Sequence, residues 1–330
     1  MSTSAPAPYP LTFEPAYQNY LWGGDRILKH FRRPARPGPI AESWEVSTRP
    51  ELPSVVSSGP WKGRTLADLV EEHGGALVGT RAPGGRFPLL IKLLDARETL
   101  SVQVHPDDAS AARHGGEAKT EMWYVLDADP GAHVFAGVRP GCDEGRFRAA
   151  LREGMVPDLL RRHEVRRGDV IFIPGGRVHA IGAGCLILEV QQNSNTTYRL
   201  YDWDRNGPDG KPRDLHVEQA MKVIRWQEDG DGVFPAPSPA RDGWSRILRS
   251  DYFLMESAQV GASREEATDG DSFQVLFVEA GDLTITWSGG EIGLPAGATA
   301  FVPAALGAYR MAGGAHGASA VIRIRLPEAG

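Results

Sequence analysis

The chain has 330 residues, 41% of them hydrophobic, enough for one large domain or two ordinary ones with a substantial core. Its 36 basic and 42 acidic residues leave a net charge of −6, which speaks against nucleic-acid and membrane-surface roles, so basic character has to be local to a site. The Met1 to Pro8 stretch has neither a charged start nor an apolar run, no segment is long enough to span a bilayer, and the distant Cys142 and Cys185 lack redox or zinc spacing, so a reduced, cytoplasmic setting is expected.

Glycine and proline are abundant (39 and 25), and the apolar runs are short and separated by turn residues. Many short strands with tight turns follow from this. Apolar residues at three- and four-residue spacing predict helices from Thr65 to Val78, Gly145 to Arg162 and Leu215 to Trp226. Regular strand-helix alternation is missing, so a mainly β barrel or double-sheet jelly roll with helical decoration is expected.

Thr99-Leu-Ser-Val-Gln-Val-His-Pro-Asp-Asp108 alternates strictly. Leu100, Val102 and Val104 share one face of a strand, and Ser101, Gln103 and His105 share the other. Two metal-capable side chains therefore point the same way, and a polar set turned into a barrel is costly unless it binds something. In Lys119-Thr-Glu-Met-Trp-Tyr-Val125 the same period puts Lys119, Glu121, Trp123 and Val125 on one face.

Arg167-Gly-Asp-Val-Ile-Phe-Ile-Pro-Gly-Gly-Arg-Val-His179 resembles the second signature motif of cupin barrels. Gly168 opens a turn, Val170 to Ile173 is a strand, and Pro174 with Gly176 forces a corner that delivers His179 to the barrel mouth. Gln103, His105, Glu121 and His179 then offer two imidazoles, a carboxylate and an amide oxygen. That donor set suits zinc, with iron, manganese and nickel chemically admissible, and leaves a position open for water or substrate. In Cys185-Leu-Ile-Leu-Glu-Val-Gln191 the period turns Ile187, Glu189 and Gln191 away from Leu186, Leu188 and Val190, so Glu189 faces the cavity.

Phe273 to Gly281 followed by Pro295 to Pro303 repeats the strand, turn, strand-Pro order. Alignment puts Ala308 where His179 stands and Gln274 where Glu121 stands, so a second barrel without metal ligands is expected. The division falls near the Gly-, Pro- and Asp-rich stretch Gly230 to Asp242, giving a catalytic cupin domain with helical insertions over 1–235 and a degenerate cupin domain over 236–330.

From about Tyr20 to Arg205 the sequence closely resembles the type I mannose-6-phosphate isomerases, in their shorter bacterial form. The resemblance is carried by Tyr20-Leu-Trp-Gly-Gly24, Ala41-Glu-Ser-Trp-Glu45, Pro88-Leu-Leu-Ile-Lys92, Ser101 to Asp108, Lys119 to Tyr124, Ile173 to His179 and Thr196-Thr-Tyr-Arg-Leu-Tyr-Asp-Trp203. It implies one Zn2+ per chain on Gln103, His105, Glu121 and His179, and interconversion of mannose 6-phosphate and fructose 6-phosphate by proton transfer between C1 and C2. Such a reaction needs a base, an electrophile and a phosphate clamp. Glu189 matches an acidic residue of the family's site, and a carboxylate in a poorly hydrated pocket suits general acid/base work. Lys119 and Arg199 match family active-site positions, and an arginine fork suits a phosphate or a developing enediolate. Ser101 and Lys92 match family motifs as substrate-binding or bracing groups, and Trp22 and Trp123 can wall the sugar site. Trp44 is expected in the core. His30, His73, His114, His133, His163, His216 and His316 are expected to be structural or exposed.

One departure is Asn195, where many members carry an aspartate. The partner implied is a small-molecule sugar phosphate, with no nucleic acid or membrane, and a monomer or weak homodimer. Two other readings share these residues: a non-catalytic sugar-phosphate-binding cupin, which Asn195 keeps open, and an iron cupin oxygenase, which inward-facing Lys119 and Arg199 disfavour.

Overall fold

The computed structural model describes residues 7–207, 210–227, 230–314 and 317–328; residues 1–6 and His316 lie outside the described residues. The fold is mainly β. Two compact units emerge: one comprises Tyr17–Ser43 and Ile91–Ala236, the other the chain up to Ala16, Trp44–Leu90 and the chain from Pro237. Residues 44–90 thus side with the C-terminal strands, which differs from a single division near residue 235. The reason is local pairing. Leu11 exchanges backbone hydrogen bonds of 2.8 Å with Phe301, and the Ala304 and Ala305 N–H groups donate at 2.9 Å to Leu77 and Ala76.

Two sheets hold the strands that carry the expected site residues. The larger runs in the order Ala16–Gln18, Glu42–Val46, Leu89–Ala96, Cys185–Gln192, Glu121–Ala128, Asp169–Ile173, Val233–Pro235, and the smaller in the order Tyr198–Tyr201, Val102–Val104, His179–Ile181, His133–Val138, Leu160–Glu164. One apolar cluster takes Trp123, Val125, Ile171 and Ile187 from the larger sheet and Val134, Ala136 and Ile181 from the smaller. The sheets therefore face each other across a common core, as alternating strands with one apolar face require.

Three registers place the site. Gln103 stands opposite His179 on one side and Arg199 on the other, while Gln191 pairs with Glu121 and Glu189 with Trp123. A chain whose side chains alternate every two residues thus puts Arg199, Gln103 and His179 in one row across three strands. The ladder at Gln103 is short, Val102–Val104, because Pro106 follows and the chain turns into the helix Asp108–His114. That helix starts at Asp107, whose side chain accepts from Ser110 N–H at 2.7 Å while Ser110 Oγ accepts from Asp107 N–H at 2.9 Å, a reciprocal cap.

The predicted helices are shorter than their patterns. Gly145 to Arg162 divides into the helix Glu144–Glu153, a 3-10 turn Val156–Leu159 and the strand Leu160–Glu164. Gly154 at φ 71° ends the helix and Pro157 blocks its renewal. Thr65 to Val78 is split at Gly74 into Leu66–His73 and Gly75–Val78, and Leu215 to Trp226 contracts to Val217–Met221.

The second unit has a five-stranded sheet (Ser245–Arg249, Leu254–Val260, Ser319–Arg325, Gln274–Ala280, Thr299–Val302) and a four-stranded one (Arg264–Ala267, Ala308–Gly313, Leu283–Trp287, Gly290–Leu294). Leu276, Val278 and Val321 of the former share a core with Ile285, Leu294 and Met311 of the latter. No helix among the described residues is long and apolar enough to cross a membrane.

Candidate metal site and adjoining cavity

His105, Glu121 and His179 are fully buried and bring a ligand atom each to within 4.8 Å of the others. His105 Nδ1 sits 2.8 Å from Thr196 O, and His179 Nδ1 2.8 Å from Arg177 O. A carbonyl only accepts, so each Nδ1 carries the proton and each Nε2 presents a lone pair to the cluster. Gln103 joins them, its amide 3.4 Å from His105 Nε2 and 3.2 Å from His179 Nε2, and turning that amide over offers Oε1 instead. Lys119 Nζ stands 2.5 Å from Glu121 Oε2 and 3.1 Å from His105 Nε2, so one ammonium is paired with both the carboxylate and an imidazole of the cluster.

Electrostatics explain why these imidazoles stay neutral. Burial above all, then the neighbouring Lys119 ammonium, hold His105 well below the usual histidine range. Burial also pushes His179 down to about 3, partly opposed by its bond to Arg177 O. Two neutral imidazoles, a buried carboxylate and an adjacent amide converging in the interior are costly to bury unless a cation meets them, and Lys119 is the cation that does so here. The same four groups fit a divalent cation.

The corner that delivers His179 depends on glycine. Gly176, at φ 92°, donates its N–H to His105 O at 2.7 Å, and a Cβ there would meet Arg225 Cγ at 2.6 Å. A neighbouring Gly175 Cβ would meet Asp107 Cα at 2.6 Å. Gly175 thus lets the segment bearing His179 approach the backbone just after His105, while Gly176 makes room for Val223 and Arg225.

Beside the cluster opens a cavity of about 330 Å³ lined by Gln103, His179, Lys119, Glu189, Arg199, Ser101, Lys92, Trp22 and Trp123 among others. That volume suits a small metabolite. Every expected site residue thus meets here except His105 and Glu121, which are buried and do not line the cavity. Lys119 precedes its strand rather than standing in it, since the strand begins at Glu121. Trp44 is buried and does not line the cavity. Asn195 does line it. His216 Nδ1 accepts from Arg199 N–H at 3.3 Å, so that histidine supports the strand bearing Arg199.

Glu189 is buried; its Oε2 accepts from Trp123 Nε1 at 2.8 Å and its Oε1 lies 3.7 Å from Lys92 Nζ. Lys92 in turn lies 3.4 Å from Glu42 Oε2. Burial draws the Lys92 ammonium down, but Glu42, Glu189 and Glu121 outweigh it and hold the group above its ordinary range. Arg199 donates from Nε to Ser101 Oγ at 3.3 Å and from Nη1 to Asp214 O at 2.9 Å.

Lining residues not expected from the sequence include Tyr20, Glu42 and Arg213, and Leu100, expected on the face opposite Ser101, lines the cavity as well because the strand begins only at Val102. Tyr20 and Glu42 belong to the motifs Tyr20 to Gly24 and Ala41 to Glu45, so a signal was present without a role attached. Burial, then Glu42, pushes the Tyr20 phenol up to about 12, with Arg213 opposing.

Facing antiparallel sheets with His105, Glu121 and His179 placed so that they could hold a metal ion, beside a cavity lined by both basic and acidic side chains, define a β protein with a candidate metal site. Residues 11–136 match the catalytic domain of type I phosphomannose isomerase. The chain is 43% identical over 217 residues to a mannose-6-phosphate isomerase of Bacillus subtilis, covering 65% of this chain and 68% of that one. It is 37% identical over 263 residues to the mannose-6-phosphate isomerase of Streptococcus mutans, covering 77% and 80% respectively. A crystal structure of mannose 6-phosphate isomerase from Bacillus subtilis superposes with a TM-score of 0.85 at 32% identity, over 95% of this chain and 99% of that one. The chain belongs to the type I mannose-6-phosphate isomerase family.

Proposed function

We propose that this protein interconverts mannose 6-phosphate and fructose 6-phosphate by moving a proton between C1 and C2, with one Zn2+ held by Gln103, His105, Glu121 and His179. The observation that carries the reading is the convergence of two imidazole Nε2 atoms with the buried Glu121 carboxylate, all within 4.8 Å of one another, next to a cavity bearing Lys92, Lys119 and Arg199. When bound, the metal supplies Lewis-acid polarisation of the sugar oxygens.

The chain's own groups supply the rest. Glu189 is the proton carrier: Oε2 is committed to the Trp123 indole, so Oε1 is the oxygen that takes and returns the proton. The indole bond and Lys92 hold that carboxylate in one orientation. Lys119 and Arg199 bind substrate and oppose negative charge developing on its oxygens, with Arg199 steadied by Ser101. Trp22 and Trp123 exclude water and offer flat faces to a sugar. Asn195 cannot exchange a proton as an aspartate would, which leaves that work to Glu189.

Residues 17–43 and 91–236 carry all these side chains, and the catalytic role is assigned to them. The C-terminal repeat is assigned no metal. Gln274, at the position of Glu121, has its amide occupied by Tyr309 Oη at 2.6 Å and Ala267 O at 3.0 Å, and Ala308 has no ligand atom.

Metal analysis with a coupled assay of fructose 6-phosphate formation, run with and without chelator, tests the reading. Zinc near one per chain and chelator-sensitive turnover are expected. Sugar-phosphate binding without turnover would replace the proposal with a non-catalytic binding protein, and bound iron with oxygen consumption would replace it with an oxygenase.

A further inference from the structure

One ammonium sits inside the ligand cluster. Lys119 Nζ is 2.5 Å from Glu121 Oε2 and 3.1 Å from His105 Nε2, and those two acceptors are 3.5 Å from each other. The backbone holds the lysine there: its N–H donates to Pro106 O at 2.9 Å, and the next N–H, of Thr120, donates to Gln192 Oε1 at 2.7 Å. The side chain is thereby rooted beside His105. Lys119 is buried, and the other ammonium nearby, Lys92, is engaged with Glu42 and Glu189 at 3.4 and 3.7 Å.

An unprotonated imidazole nitrogen has a single lone pair, so His105 Nε2 gives it either to the Lys119 ammonium or to a metal ion, never to both. Charge leads to the same exclusion. With both imidazoles neutral, Glu121 and Lys119 balance each other. A divalent ion added with the ammonium still in place would leave two positive charges in excess within a buried cluster, which is costly. The flexible four-carbon stem offers the ammonium another position, because Lys119 also lines the cavity, whose wall carries the carboxylates of Glu42 and Glu189 as well as the guanidinium of Arg199.

We infer that Lys119 is a built-in competitor for the metal: its ammonium neutralises Glu121 and occupies the His105 lone pair until a divalent ion takes both and turns it out into the cavity. The inference rests on the metal site proposed above and adds to it a group that weakens metal binding and protects the fold when metal is scarce. A lysine that merely propped Glu121 in place would have the opposite sign, since its loss would loosen the metal.

The test compares wild type with K119M and K119Q, which remove the charge and keep an unbranched side chain, by zinc titration against a chromophoric chelator and by thermal unfolding with zinc and after exhaustive chelation. Both variants should bind zinc about 10- to 100-fold more tightly, the range over which groups bordering metal ligands act. Chelated K119M should melt about 3–10 °C below chelated wild type, because Glu121 loses its partner, while the zinc-loaded forms should melt together. Zinc bound equally or more weakly by a folded variant overturns the inference, as does a melting loss of the same size in both forms. A measurement on wild type serves if the variants do not fold: reductive methylation read by peptide mass spectrometry should modify Lys119 faster with zinc than without, with exposed Lys29 as the internal standard. Equal rates at Lys119 would overturn the inference as well. If wild type binds zinc but does not isomerise, the isomerase reading fails and these measurements still decide the role of Lys119; if it binds no zinc, the metal reading fails and the inference with it.

Discussion

His105 and His179, with ring centroids 4.8 Å apart, each commit Nδ1 to a main-chain carbonyl and so turn both Nε2 atoms toward Gln103 and Glu121. Neither carbonyl comes from the other histidine's strand: Thr196 precedes the strand Tyr198–Tyr201, and Arg177 belongs to the Pro-Gly-Gly corner. The tautomers are thus set by backbone before any ion arrives, a pre-organisation that lowers the cost of binding one.

His179→Ala should therefore abolish metal retention, with zinc by elemental analysis falling from near one per chain to near none and activity dropping by more than about 10²-fold. Wild type stripped by chelator should match the variant and recover on adding zinc. A variant that retains stoichiometric zinc would remove His179 from the ligand set.

Glu189→Gln keeps size and can still accept from the Trp123 indole, so zinc content and melting temperature should stay close to wild type. Turnover should fall by about 10²- to 10⁴-fold if Glu189 carries the proton. Full activity in the zinc-loaded variant would assign that work elsewhere.

Asp107 links the helix Asp108–His114 to Arg225, whose Nη2 lies 2.6 Å from Oδ2. Burial raises its carboxyl, but the bonds from Arg225 and Ser110 outweigh this and hold it at about 2. The folded value lies below the unfolded one, so the stabilisation is complete above about pH 4 and fades as pH falls toward about 2. Asp107→Ala should cost about 1–2 kcal/mol at neutral pH, measured by chemical denaturation, with the gap to wild type narrowing below about pH 4. A pH-independent gap would mean that ionisation of Asp107 contributes nothing.

Asp95 has the opposite sign. It is fully buried, its Oδ2 accepts from Arg26 N–H at 2.6 Å, and its Oδ1 has no hydrogen-bond partner. Burial, against the pull of Arg26, raises its carboxyl to about 6. The folded state thus holds a proton that the unfolded chain has released, and stability is lost as pH rises from about 4 through 6. Asp95→Asn preserves the acceptor for Arg26 and removes the buried charge, so it should be about 1–3 kcal/mol more stable than wild type at pH 7.5 and near equal at pH 4. Equal stability at both pH values would show that the carboxylate is as well solvated in the folded chain as in the unfolded one.

Much of the site was legible because strands repeat every two residues. Ser101, Gln103 and His105, or Glu189 against Leu188 and Val190, separate by face without knowledge of the partner strands, and the Pro174 to Gly176 corner announces where His179 is delivered. Helix extent was less legible: the apolar spacing from Gly145 to Arg162 is satisfied equally by a helix and by a helix followed by an edge strand. Gly154 and Pro157 decide between them, and only the pairing of Leu160–Glu164 with His133–Val138 reveals the outcome.

Arg213 lies in a loop, where no periodicity relates side-chain direction to position, so its place in the cavity was invisible in the sequence. The grouping of residues 44–90 with the C-terminal strands was equally hidden, because backbone hydrogen bonds between Leu11 and Phe301 leave no trace in composition. Sequence alone determined which residues of a strand share a face and which chemistry they can offer, since pleat and turn propensity are local. Tertiary structure decided which of them meet, because register, loop path and charge pairing depend on segments far apart in the chain.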